Sequence, residues 1–359
     1  MKNILSIDGG GVRIYFPLRI LIEIEKRLNV NIQDLFDYFT GVSAGSILIG
    51  MLLQGENNTC KYTLEQLCEI LERESPRIFH KSWKNSIKTL GSLIGPSYPS
   101  NSIETCFQDL YGNTTMSQLI KPACIVSYDM KKHIPLYFTG NDFPNLEIWK
   151  CIRASTAAPT YFYPYEFEYE QNDYTCIDGG VVTNNPSEIC LLKALKNKKQ
   201  NYYTFSMGTG YSVNKSLHKK TFWNTYFPSY GMLYWSSDIL NTIFNASSSS
   251  QIMDVEDINS LIENKETHGF YRVNIKMNEN IPLDDVNSFP KMKKIADEWI
   301  LKNTEEIDYI CGSLMKNYEV KIEKSWIQNN EQDYFVNEID NLMRKSYLPN
   351  IFKLEDIIE

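Results

Sequence analysis

The stretch Gly41-Val42-Ser43-Ala44-Gly45 places a serine where it could act as a nucleophile. It follows the mostly apolar run Phe36-Asp37-Tyr38-Phe39-Thr40 and precedes the helix-like Ser46-Ile47-Leu48-Ile49-Gly50-Met51-Leu52-Leu53, so the order is strand, sharp turn, helix. Such a turn leaves no room for Cβ atoms beside the serine backbone, hence the glycines. The helix that starts there aims its free N–H groups and positive dipole end at developing negative charge. The chemistry this suits is acyl transfer. The G-x-S-x-G pattern occurs once, because Gly95-Pro96-Ser97-Tyr98-Pro99 and Gly210-Tyr211-Ser212-Val213-Asn214 both lack the closing glycine.

Acyl transfer by serine also needs hydrogen-bond donors for an oxyanion and a base for the hydroxyl proton. Asp8-Gly9-Gly10-Gly11-Val12-Arg13 lies between the first strand and the first helix, where successive glycine N–H groups can form an anion-binding concavity. A dinucleotide loop is disfavoured there. The G-x-G-x-x-G spacing fails at Ile14, and no G-K-[ST] follows. For the base, His80, His133, His218 and His268 all lie in polar or loop-like contexts, although sequence distance alone leaves a triad open. Asp178 ends the strand-like Tyr174-Thr175-Cys176-Ile177 and is followed by Gly179-Gly180. Alone it reads as a turn aspartate.

The elements that must position these groups alternate over the first two hundred residues. Strands are expected at 2–7, leading into Ser43, and at 123–127, 136–138, 165–168, 174–177 and 202–206. Helices are expected from Pro17 to Leu28, after Ser43, from a Thr63 capping box to Pro76, and over 146–154 and 186–195. A last strand is expected over Phe270–Ile275. This alternation implies an α/β fold, an α/β/α sandwich around a largely parallel sheet. Residues 80–99, with Lys81, Trp83, Lys84 and Lys88, and the aromatic-rich 215–245 are candidate lids or lipid-facing surfaces. From Pro290 the chain is polar and helical in pattern, without a catalytic motif.

Composition narrows the partners. The 359 residues carry a net charge of −8, which argues against nucleic acid. The eight cysteines are scattered, with no C-x-x-C, and read as reduced core residues rather than disulfides or a metal site. No signal peptide or membrane-length apolar run is visible, so the expectation is a cytoplasmic protein, with peripheral membrane association and signal-less export left open.

Three glycine-bearing strand tips in one chain, Asp8–Gly11, Gly41–Gly45 and Asp178–Gly180, resemble the patatin-like phospholipase family. The resemblance extends to the small-residue stretch Ala154-Ser155-Thr156-Ala157-Ala158-Pro159, to Asn184-Asn185-Pro186 and to Met207-Gly208-Thr209-Gly210. It covers about residues 1 to 275. It implies a patatin-like domain over 1–280 with a helical C-terminal extension over 281–359. It further implies Ser43 as nucleophile, Asp178 as general base without histidine, and Gly9, Gly10 and Gly11 as the oxyanion loop, with the Gly10 and Gly11 N–H groups as its donors. Arg13 and Ala44 are implied supporting residues, and Ile14 departs from the family's usual glycine. The implied activity is hydrolysis of phospholipid or other acyl-ester lipids through an acyl-enzyme, with transient membrane contact, no cofactor or metal, and an activating partner unspecified. An acyltransferase, a Ser-His-Asp esterase and a non-enzymatic lipid-binding module are the alternatives. A free aspartate, with a pKa of about 3.9, is a poor base for serine, so the dyad requires surroundings that raise its basicity or a proton that moves in concert with attack.

Overall fold

The computed structural model describes residues 2–56, 59–80, 95–196, 202–212, 239–261 and 268–325. The candidate lids at 80–99 and 215–245 fall largely outside these residues, as do His218, most of the aromatic-rich stretch and the chain beyond 325.

The elements run β1 (Lys2–Ile7), α1 (Tyr15–Leu28), β2 (Tyr38–Val42), α2 (Ala44–Leu53), α3 (Leu64–Ile78), α4 (Ser100–Tyr111), β3 (Ala123–Asp129), β4 (Ile134–Thr139), α5 (Ile148–Ser155), β5 (Tyr165–Tyr169), β6 (Asn172–Asp178), α6 (Ser187–Lys196), β7 (Tyr202–Met207), α7 (Ile239–Leu261), β8 (His268–Val273), α8 (Phe289–Lys302) and α9 (Thr304–Ser325). Most expected elements form within a few residues of their predicted ends. The α3 capping box closes as the sequence requires, with Gln66 N donating to Thr63 Oγ1 at 3.3 Å and Thr63 N to Gln66 Oε1 at 2.9 Å. Pro76 does not end that helix. It sits within the last turn, which continues to Ile78.

Eight strands form one sheet in the order β8-β7-β1-β2-β3-β6-β5, with β4 also paired to β3. From β8 to β3 the strands are parallel, and β4, β6 and β5 add antiparallel pairs. Because side chains alternate across a strand, each face collects its own apolar set. Leu5, Ile7, Phe39, Ile125 and Phe205 face a thick layer that includes α1 to α5. Ile4, Tyr38, Val42, Cys124 and Tyr202 face the thinner layer of α6, whose Cys190 packs on them. This is the expected α/β/α sandwich around a mostly parallel sheet. All eight cysteines are free and seven are buried, as core residues would be.

The helices beyond residue 280 pack into this same body. Asn317 Nδ2 of α9 donates to Asn3 Oδ1 of β1 at 2.7 Å, and Asn3 Nδ2 donates to Leu314 O at 3.2 Å. Arg19 and Arg27 of α1 pair with Asp297 and Asp308, each at 2.6 Å. Ile307, Ile310 and Leu314 are fully buried in the core cluster that holds Leu5. No helix among the described residues is long and apolar enough to cross a membrane.

Candidate active site

The site forms where two strands meet end to end along β3. Strand β2 pairs with Ala123 to Val126, ending at Val42 opposite Val126. Strand β6 pairs with the next three residues in the opposite sense, and Asp178 lies opposite Ser127. The other edge of β3 is occupied over Cys124 to Asp129 by β4, so β2 and β6 share one edge and converge tip to tip. Ser43 leaves the tip of β2 just as Asp178 closes β6. This register brings together two residues 135 positions apart, and Ser43 Oγ donates to Asp178 Oδ2 at 2.5 Å.

Local backbone chemistry holds each partner. Ser43 adopts φ 52° and ψ −129°, a conformation that a residue with a Cβ rarely takes. Three hydrogen bonds hold it there. Its N–H donates to Ser155 Oγ at 2.8 Å, Ser155 Oγ donates to Val126 O at 2.5 Å, and Ser46 Oγ donates to Ser43 O at 2.5 Å. The flanking glycines are required by contact. A Cβ on Gly41 would lie 2.8 Å from Gly45 O, and one on Gly45 would lie 2.7 Å from Asp8 O. On the other side, Asp178 is fully buried. Its Oδ1 accepts from Gly180 N at 2.7 Å, which gives Gly180 a reason beyond turn formation. Burial pushes the Asp178 carboxyl up to about 7, against the opposing pull of the Ser43 and Gly180 hydrogen bonds. A carboxylate with that affinity can take a serine proton near neutral pH, which a free aspartate does poorly.

The glycine loop completes the cluster with a division of labour that spacing alone does not show. The Gly9 N–H is already committed to Asn184 O at 3.2 Å. A Cβ on Gly9 would come within 3.0 Å of Ser43 Cβ and collide with Asn184 Oδ1, so Gly9 serves close approach. Among the described residues the Gly10 and Gly11 N–H groups carry no hydrogen bond, and Gly11 stands at φ 57°. The loop is pinned from several sides. Thr209 Oγ1 donates to Gly9 O at 2.8 Å and Val12 N to Leu283 O at 2.9 Å. Arg13 Nε reaches Gly10 O at 3.4 Å, and burial pushes that guanidinium down to about 10. Ala44 opens α2 and lines the cavity beside Ser43. Ile14 is buried at the end of the short 3-10 turn over Gly11–Ile14.

Asp8, before the glycines, is the residue whose role the sequence pattern leaves unread. It is buried, and Arg272 of β8 clamps it, Nη2 to Oδ2 at 2.5 Å and Nη1 to Oδ1 at 3.1 Å. Burial raises the Asp8 pKa, and the Arg272 charge opposes that rise. Removing the guanidinium leaves the carboxylate unpaired in the interior, so Arg272→Ala is expected to cost about 3–5 kcal/mol of unfolding free energy. Urea unfolding of the two proteins at neutral pH measures it, and a loss under about 1 kcal/mol would contradict the clamp.

A cavity opens beside Ser43, walled by apolar side chains of α2, α3 and α4 and by Tyr161 and Phe162. No histidine lines it among the described residues. His80 and His133 are exposed, and His268 begins β8 at the end of the sheet opposite Ser43. Ser155 and Thr209 had a visible signal, lying in the small-residue stretch and in the Met207–Gly210 block. Arg272 had none.

A family model described as Patatin-like phospholipase matches residues 5–191. A cGAMP-activated phospholipase of Escherichia coli is 30% identical over 254 residues, covering 64% of this chain and 69% of that protein. Patatin-like protein 2 of Oryza sativa subsp. indica is 30% identical over 207 residues, with 52% and 51% covered. Patatin-like protein 4 of Arabidopsis thaliana is 27% identical over 283 residues, with 69% and 70% covered. The family match takes in the glycine loop, the Ser43 turn and Asp178 together, and on that footing the chain belongs to the patatin-like phospholipase family of lipid acyl hydrolases.

Proposed function

We propose that this protein hydrolyses acyl esters of phospholipids or related lipids with a Ser43–Asp178 dyad, through an acyl-enzyme. The observation that carries the reading is the Ser43 hydroxyl donating at 2.5 Å to a fully buried carboxylate whose pKa burial has pushed to about 7. In the first half-reaction Asp178 takes the serine proton as Oγ attacks the ester carbonyl. The Gly10 and Gly11 N–H groups and the α2 N-terminus stabilise the oxyanion. The proton passes to the leaving alcohol as the tetrahedral centre collapses. In the second half-reaction Asp178 activates water, which releases the fatty acid and restores Ser43.

The apolar cavity beside Ser43 supports an acyl chain as the group held during attack, with the head group left at the mouth. A substrate drawn from a bilayer implies transient contact with the membrane surface. A triad reading has no support from His80, His133 or His268, given their placement. Transfer to an alcohol acceptor would use the same acyl-enzyme.

Two measurements test the reading. Incubation with a fluorophosphonate should add one phosphonyl group to Ser43, found by peptide mass spectrometry. Mixed phospholipid vesicles should release free fatty acid with the wild type and not with Ser43→Ala. Labelling elsewhere, or equal fatty acid release by both proteins, would remove the assignment.

A further inference from the structure

We infer that Met51 forms the floor of the acyl-chain seat and that the stripe Ser43–Ile47–Met51 sets the chain length it takes; this rests on the reading of the cavity as an acyl site. These residues recur every four positions, so Ile47 and Met51 lie one and two turns down the same side of α2 from the nucleophile turn, and both line the cavity. From Ala44 to Met51 the helix advances about 10 Å. α3 lines the cavity as well, through Ile70, Leu71, Glu74, Ser75 and Ile78. Phe79, which also lines the cavity, packs against Tyr98 and Phe162. Met51 is the lining residue of α2 farthest from Ser43 and is fully buried, and Ile70 and Leu110 line the same cavity.

The floor is held from behind. A Cβ on Gly50, beside Met51, would meet Ile152 Cδ1 at 2.7 Å and Tyr111 Cε1 at 3.0 Å, and the Tyr111 hydroxyl donates to Ile47 O at 2.9 Å. One charged side chain among the lining residues could break the apolar character of the wall. This is Glu74, and both of its oxygens are tied by arginines, Oε1 to Arg73 Nε at 2.7 Å and Oε2 to Arg77 Nη1 at 2.5 Å. The lining along α2 is therefore apolar from Ala44 to Met51. A zigzag alkyl chain with C–C bonds of about 1.5 Å fills that depth with roughly eight carbons. Longer chains must leave their remaining carbons outside it.

Calorimetric binding of free fatty acids from butanoate to tetradecanoate reads the seat without turnover. For the wild type, affinity should rise about fourfold per methylene and level off near eight carbons. Ile47→Phe projects into open cavity one turn above the floor, and the plateau should come roughly four carbons earlier. Met51→Ala opens the floor, and the plateau should come later. If Met51→Ala does not fold, Ile47→Phe still decides. A plateau at the same length in wild type and Ile47→Phe, or no dependence on length, would overturn the inference. A parallel series of p-nitrophenyl esters separates the two readings. Ester hydrolysis unaffected by Ser43→Ala would defeat the enzymatic reading, while the calorimetric plateau still rules on the seat.

Discussion

Replacing Ser43 with alanine is expected to lower ester turnover by about four orders of magnitude or more while the protein stays folded. The reason is local. Only one atom is lost, and it is the atom proposed to form the acyl-enzyme. The Ser43 N–H to Ser155 and the Ser46 hydroxyl to Ser43 O are backbone contacts of residue 43 and survive the change. Alanine has a Cβ like serine, so the unusual backbone at φ 52° is strained to a similar degree in both. The buried Asp178 Oδ2 loses its serine donor, and the carboxyl should become harder to ionise, which deepens the defect. Residual catalysis should come from binding and the loop N–H groups alone. Steady-state turnover of a soluble ester, beside circular dichroism and thermal melts, measures both halves. A folded Ser43→Ala protein with turnover within tenfold of wild type would mean that another group attacks the ester.

Asp178→Asn should cost about a thousandfold in turnover, and it carries a pH signature that a merely structural residue would not. Asparagine keeps the size of the side chain and an oxygen to accept from Gly180 N, but it removes the proposed base. In the proposed mechanism Asp178 acts in its ionised form. Activity should therefore fall about tenfold per pH unit below the inflection near 7 and level off above it. The residual activity of Asp178→Asn should lack that inflection. A variant that retains it would place the base elsewhere.

The same shift predicts a stability effect of the opposite sign. The carboxyl titrates near 3.8 when unfolded and near 7 when folded, so between these values the native state binds the extra proton. Stability contributed by this group is fully present below about pH 4, falls as pH rises toward 7, and stays low above it. Asp178→Asn is neutral throughout and escapes the loss. It should melt higher than wild type at pH 8, with the advantage disappearing toward pH 4. The fold would then be carrying a cost of a few kcal/mol at neutral pH to keep a strong base in the interior.

Much of this site was legible in the chain because its determinants are local. The turn at Gly41–Gly45 must be tight, and contact with the Asp8 carbonyl explains why Gly45 admits no Cβ. The near-continuous buried runs of β1 and β2 follow from burial on both faces of a parallel sheet. Other features depend on partners far along the chain. Gly9, Gly10 and Gly11 look alike in sequence, yet the Gly9 N–H is taken by Asn184 O while the Gly10 and Gly11 N–H groups have no partner among the described residues. Arg272 sits in an ordinary strand pattern, and only the packing of β8 on β7 brings it to Asp8. Helices α8 and α9 read as a polar tail, because an amphipathic helix does not reveal which surface its apolar side will cover. They cover α1 and the N-terminal end of β1.

The sequence by itself determined that a serine sits at a strand-to-helix turn, that a glycine loop follows the first strand, and that an aspartate with two glycines ends a later one. Turn geometry and burial act over a few residues and leave their mark in residue types. Only the tertiary structure decided that β6 runs against β3 and meets β2 on the same edge, so that Ser43 and Asp178 touch. It also decided that the aspartate is fully enclosed, and the loss of water there makes it basic enough to matter. Strand direction, register and dielectric environment arise from contacts between distant segments, and no local pattern encodes them.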